Sequence, residues 1–438
     1  MKGDRRNVSR LVRLSLIRSV ALLMVLAASS VNLSCVAGAS ELPQAVTIDE
    51  LLQLLRERSP RLVAERAQID VAAADLIAAE VLPNPSISYG STNVVGGKKN
   101  TLFEGNLQQQ STIEVPLLIA GQRSARREAA QRGVSAAQAR VQARYADLAH
   151  QVWQFFVQIL TGQEKVRALD EARSSLEQIK DIVSGRAHAG TASEYDVLRI
   201  SLEAAALDTR LADARAEVTN SAGELGALLG LPGWRPRAVG KLGSLGVDLD
   251  IETLWTKAEQ SNPAIEAARG DELAADAVIE RARRERWPVP TVSWGPFFTT
   301  DPYGLYSYVG VSIAVPLFDR GQGSLARAVA EKRSATLLRQ AVTAETRAEL
   351  ERAIGLLTQR RTTLATFERE VLSRLPTLRR MAEDAYRGGK STILELLDAT
   401  RSRTELQLSH LDLVAEVMQA EIDTLAAAGL IDTTSSHP

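Results

Sequence analysis

The chain has one cysteine, Cys35, in 438 residues, and only 4% of its residues are aromatic. A single thiol closes no disulfide within the chain and builds no cysteine-based metal cluster. Few aromatics beside abundant alanine favour thin, closely packed helices over a thick mixed core. An excess of charge is also missing: 52 basic residues face 53 acidic ones. That balance removes the electrostatic footprint of a nucleic-acid partner. Past the N-terminal region no stretch is apolar enough for a membrane-crossing helix. The four histidines, His150, His188, His410 and His437, have no second histidine or cysteine at ligand spacing. No Ser-His-Asp set or carboxylate pair stands out, so neither an enzymatic activity nor a cofactor is expected. Gly388-Gly389-Lys390-Ser391-Thr392 resembles the end of a phosphate-binding loop, but Asp384 stands where its first glycine belongs. A helical pattern, not a strand, precedes it, so the segment reads as a turn between helices.

What is present is present twice. Ile113-Glu114-Val115-Pro116-Leu117-Leu118 with Gly121-Gln122 returns as Ile313-Ala314-Val315-Pro316-Leu317-Phe318 with Gly321-Gln322. Pro83-Asn84-Pro85 answers Pro288-Val289-Pro290, Ser59-Pro60 answers Asn262-Pro263, and Gly190-Thr191 answers Gly389-Lys390. Four anchors in one order at nearly constant separation predict a tandem duplication, with a unit too long for a solenoid. The first repeat spans 40–230, with a β-hairpin at about 85–118, and the second spans 251–430, with a hairpin at about 290–318. A proline- and glycine-bearing linker, 231–250, joins them, and 431–438 is a tail.

Residues 1–39 read as a signal peptide. Arg5, Arg6, Arg10, Arg13 and Arg18 precede an apolar run from Val20 to Ala28, and Ala37-Gly38-Ala39 fits a cleavage site. Cys35 is then removed with the leader; the other reading makes it the lipidated first residue of a lipoprotein.

A helix is predicted over Ile48–Leu82, ended by Pro83 and Pro85. Ser86–Tyr89 and Gln110–Val115 read as strands around a solvated loop, Gly96–Asn100. From Leu305 to Val315 the odd positions are mostly apolar and the even ones, such as Tyr306, Gly310 and Ser312, smaller or more polar. About ten residues of this alternation suit a tilted membrane strand, and also a hairpin on a soluble core. Arg123 to about Ala187 lacks proline, which predicts a helix of roughly 100 Å. Leu207, Leu211, Ala214 and Val218, and later Leu408, Leu411 and Ala415, form coiled-coil-like seams.

Strands in hydrocarbon must close into a barrel, because no backbone group there stays unbonded. Two hairpins supply four strands, whereas the smallest membrane barrels need about eight. One chain therefore cannot close the barrel, and three would supply twelve strands. With its Val-Pro-Leu and Gly-Gln motifs, and the tip motifs from Ala189 to Leu198 and from Tyr386 to Asp398, the chain resembles the TolC-like outer membrane factors. Leu82-Pro83-Asn84-Pro85, Gly121–Arg126 and Pro316–Gly323 are most similar to the CzcC-like heavy-metal branch. The resemblance implies a mainly α fold with a membrane β-barrel: long helical hairpins form a periplasmic tunnel. Four strands per chain close as a twelve-stranded barrel in a homotrimer within outer-membrane lipid. It also implies a periplasmic adaptor, an inner-membrane pump of the resistance-nodulation-division (RND) type, and divalent heavy metals as cargo. Multidrug efflux or type I protein secretion is the alternative service.

Candidate gate residues lie at the periplasmic tips: Gly190, Thr191, Glu194 and Asp196, and Gly389, Lys390, Ser391, Glu395 and Asp398. The glycines permit the reversal between helices. The carboxylates either cap helix N-termini or, repeated threefold, make an acidic ring favouring cations. His188, near one tip, is either a solvated turn residue or a contact for metal in transit. Thr112 and Glu114 are expected to face the barrel lumen, and Ile113, Val115, Val309, Val311, Ile313 and Val315 lipid. Phe297, Phe298, Tyr303, Tyr306 and Tyr308 either form an interfacial girdle or pack between strands.

Overall fold

The architecture follows from where proline and glycine interrupt an otherwise helical chain. The structure, a computed structural model, describes residues 42–93, 107–188, 193–300, 304–388 and 390–431. The leader with Cys35, the loop Gly96–Asn100, Gly190, Thr191, Tyr303, Gly389 and most of the tail lie outside the described residues. Residues from Ala45 onward form one unit.

Its elements are β1 (Ala45–Val46), α1 (Ile48–Arg58), α2 (Pro60–Glu80), β2 (Ser86–Asn93), β3 (Leu107–Pro116), α3 (Gln122–His188) and α4 (Glu194–Leu228). There follow β4 (Arg237–Ala238), α5 (Ile251–Ser261), α6 (Pro263–Glu285), β5 (Thr291–Thr299), β6 (Gly304–Ser312), α7 (Gln322–Glu370), α8 (Leu375–Arg387) and α9 (Ile393–Ala427).

The helix expected over Ile48–Leu82 is in fact two. Pro60 has no N–H to continue α1, and Ser59 turns the chain at ψ 118° before Pro60 opens α2. Asn262-Pro263 does the same between α5 and α6. Both junctions are buried against the end of a returning helix. Ser59 Oγ donates to the Leu228 carbonyl (3.3 Å) and Asn262 Nδ2 to the Ala427 carbonyl (2.9 Å). Gly230 and Gly429 pass these junctions at φ +72°, where a Cβ would lie 2.6 Å from Pro60 and 2.8 Å from Asn262. Only glycine suits that conformation at such close approach.

The proline-free α3 runs unbroken for 67 residues. Its counterpart does not: after α7 the chain passes through a 3-10 turn, Leu372–Arg374, and α8 restarts with Pro376 in its first turn. Leu148, Val152, Phe156 and Ile159 of α3 pack with Leu51 and Leu55 of α1 and Leu225 of α4 in the main core. The linker is clamped onto this core. Gln163 of α3 exchanges two hydrogen bonds with the Ala238 backbone, and β4 pairs in parallel with β1. The strands form one antiparallel sheet in the order β2-β3-β5-β6, so the two hairpins join through β3 and β5.

Candidate functional site

The sheet separates two chemistries. Ile87, Ile113, Trp294 and Val309 are cross-strand partners and make one row across all four strands. All four are exposed, Ile87 at 79% and Val309 at 68%, and Val115 and Val311 continue this face. The opposite face carries the row Ser86, Glu114, Ser293 and Gly310, with Ser88 opposite Thr112. Ser86 Oγ donates to Glu114 (3.3 Å), and Thr112 is 5% exposed. Thr112 and Glu114 therefore share the polar face. Phe297 and Tyr306 lie on it too, opposite Gln110, with ring centroids 4.9 Å apart. Of the two readings offered for these aromatics, packing between strands describes this pair. Where β3 meets β5, a Cβ on Gly295 would sit 1.8 Å from the Ser111 carbonyl oxygen, so only glycine fits the seam.

At the opposite end of the helices the chain turns twice. Ser193 caps α4: its hydroxyl accepts from Asp196 N (3.2 Å) and its own N–H donates to Asp196 Oδ2 (3.1 Å). Thr392 and Glu395 make the same reciprocal pair at the start of α9. Asp196 and Glu395 are thus engaged in capping boxes, whereas Glu194 and Asp398 are exposed. Lys390 N donates to the Ala385 carbonyl (2.8 Å), closing α8, and the Ser391 hydroxyl is buried with no hydrogen-bond partner among the described residues. Ile200, Tyr386, Ile393, Leu396 and Leu397 share an apolar cluster with Val183, which packs the two tips together. Arg186, whose role sequence reasoning missed, lies over the Tyr386 ring (5.1 Å) and donates to its carbonyl (3.4 Å). A basic residue in the last turn of a helix carries no spacing signal for that contact. Thr392→Ala will cost about 1 kcal/mol of local stability, read as faster amide exchange over 393–397; unchanged exchange would mean the cap is idle.

Between sheet and tips several ion pairs link neighbouring helices, among them Arg140 with Asp271 and Lys332 with Asp276. His150 Nε2 lies 2.7 Å from Asp423 Oδ1, linking α3 to α9. Burial pushes the Asp423 carboxyl up, but hydrogen bonds from His150 and Gln419 outweigh it and hold it below the usual range. Burial raises the nearby Asp147 carboxyl against the pull of Arg144 and His150. His188 Nδ1 donates to its own helix, at the Ser184 carbonyl (2.7 Å). Among the described residues no three His, Cys, Asp or Glu side chains group as metal ligands, and no helix is long and apolar enough to cross a membrane.

Long helical hairpins carrying a four-stranded antiparallel sheet with one exposed apolar face give a fold like that of outer membrane channels of known structure. The model of the outer membrane efflux protein family matches residues 51–231 of the chain. It is 27% identical to the cobalt-zinc-cadmium resistance protein CzcC of Cupriavidus metallidurans over 376 residues, 86% of this chain and 88% of that one. It is 23% identical to the pyoverdine export outer membrane protein OpmQ of Pseudomonas putida over 411 residues, 87% and 85% of the two chains. The crystal structure of CusC matches with a TM-score of 0.70 at 18% identity, covering 87% of this chain and 92% of that one. The family model and the relatives that match are those of outer membrane proteins.

Proposed function

We propose that three copies of this chain form the exit duct of a tripartite efflux system, with divalent heavy-metal cations as cargo. The observation that carries the reading is the sheet. One face is apolar and exposed, and within the chain neither β2 nor β6 has a second neighbour among the described strands. In lipid such edges must be paired, and a sheet too small to close on itself pairs with copies of itself. Three chains give twelve strands around a lumen lined by the Glu114 face. The tandem duplication makes their six helical hairpins a nearly sixfold tunnel. The duct is passive and not an enzyme; a periplasmic adaptor docks at the tips and an RND-type inner-membrane pump supplies the energy. Glu194 and Asp398, exposed beside the capping boxes, are the carboxylates available to an acidic ring at the entrance.

The metal cargo is argued from the resistance relative; OpmQ keeps export of an organic compound as the second reading. A deletion strain with plasmid rescue, grown across metals and drugs, decides. Sensitivity confined to metals such as cobalt, zinc or cadmium is expected. Drug sensitivity with unchanged metal tolerance would keep the duct and reject the cargo.

A further inference from the structure

Exposed apolar residues mark all four places where the chain passes between sheet and helices, and arginines adjoin them at three, an arrangement that a duct does not require. Nearest the sheet comes an apolar tier: Leu82, Ile119, Trp287, Leu317 and Phe318 are exposed, Phe318 at 91%. A basic tier adjoins it. Segments 80–82, 119–132, 280–287 and 313–327 together hold ten arginines, no lysine and five acidic residues, in a chain of net charge −1.

Hydrogen bonds hold the crossings at one level. Gln122 Nε2 donates to the Trp287 carbonyl (3.4 Å), and Arg126 pairs with Glu285 (2.8 Å), so the first helix after β3 is tied to the last turn before β5. Arg123 Nε donates to the Glu80 carbonyl (2.9 Å), and Arg286 Nε to the Arg320 carbonyl (2.8 Å). Around these ties Arg132 and Arg320 are exposed.

A helical tunnel in water gains nothing from an exposed tryptophan and phenylalanine followed by guanidinium groups. A membrane boundary does. Aromatic rings settle at headgroup level, and long basic side chains lay their stems along apolar surface while the charge reaches phosphate. Arginine suits this better than lysine, because its planar fork grips phosphate oxygens in pairs.

We propose that this collar binds anionic phospholipid headgroups of the periplasmic leaflet, of the phosphatidylglycerol type. The proposal rests on the outer-membrane reading of the sheet. It sets the depth of the chain in the bilayer and gives the duct a lipid preference at the level where barrel becomes tunnel. Charge complementarity and continuity with the apolar sheet face select this occupant.

The test uses the full assembled protein in nanodiscs of mixed phosphatidylethanolamine and phosphatidylglycerol, with lipids retained after gentle detergent extraction counted by mass spectrometry. The wild type is expected to enrich phosphatidylglycerol. Arg132→Gln with Arg320→Gln lowers that enrichment at least about tenfold, each substitution alone about fivefold, and salt at about 0.5 M does the same. Arg167→Gln with Arg352→Gln, exposed arginines far along the helices from the collar, leaves it unchanged. Where the double variant does not assemble, the single variants are read. Equal recovery of both lipids by the wild type overturns the collar and leaves the membrane reading intact; recovery of neither overturns both. Unchanged enrichment in the double variant also overturns it, and if the trimer is lost at the same time, the collar is a contact between copies.

Discussion

Glu421→Ala will lower the unfolding free energy of the protein by about 3 kcal/mol. Glu421 lies on α9, wholly buried, and Arg361 Nη2 of α7 sits 2.5 Å from its carboxylate. The same carboxylate accepts from Ser244 Oγ and Leu245 N of the inter-repeat linker, each at 2.5 Å. Arg361 also donates to the Val247 carbonyl (2.9 Å). One side chain thus joins two helices and the linker. Alanine leaves a guanidinium that is 29% exposed with a lone carbonyl partner, and removes the acceptor of a linker N–H. Those losses exceed what truncation of an exposed ion pair costs. Glu421→Gln, which keeps the shape and one acceptor, should lose about half as much. Denaturant unfolding followed by circular dichroism measures both. Wild-type stability in the alanine variant would mean that Val247, Leu357 and Val417 hold the linker by apolar packing alone.

Val309→Arg will remove the protein from the outer membrane as an assembled species. Val309 ends the apolar row on β6, and arginine near the middle of a bilayer costs about 2–4 kcal/mol on a lipid-facing strand. Ser88→Arg places the same charge on the other face, opposite Thr112, where water fills the lumen of the proposed barrel. That variant should assemble and change only single-channel conductance. Detergent-resistant trimer in outer-membrane fractions is the readout. Equal assembly of both variants would mean that the two faces meet the same environment, and the barrel reading would fall.

Much of this was legible in the residues. Absence of proline from 123 to 187 marked α3 to within a residue or two, and alternation from Leu305 marked the start of β6, which ends at Ser312 while the alternation runs on to Val315. The α1–α2 break was not read, although Ser59-Pro60 had been noticed, because helical spacing of apolar residues continues on both sides of it. Pro60 interrupts the helix, and a buried hydrogen bond from Ser59 to Leu228, 169 residues away, holds the junction in place. The 3-10 turn after α7, by contrast, coincides with a visible signal, Pro376 in the first turn of α8. Asp196 and Glu395 illustrate the limit at the tips: a carboxylate three residues after Ser or Thr is both a cap and a candidate gate. Geometry engages these two in capping, and only the proposed entrance ring would give Glu194 and Asp398 a further role. Glu421 and Arg361 look like ordinary charges of a solvated helix face, since their meeting depends on how α9, α7 and the linker pack.

The β3–β5 seam also bears on how a ring would be made. Two hairpins that could have been separate molecules are here already neighbours, joined at Gly295 and Ser111. In a ring of three such chains, half of the hairpin-to-hairpin seams form as intramolecular events, at an effective concentration of order millimolar. Only the other half await an encounter between molecules. Assembly is then third order in chain where separate hairpins would make it sixth order, so a modest fall in expression slows ring formation far less steeply.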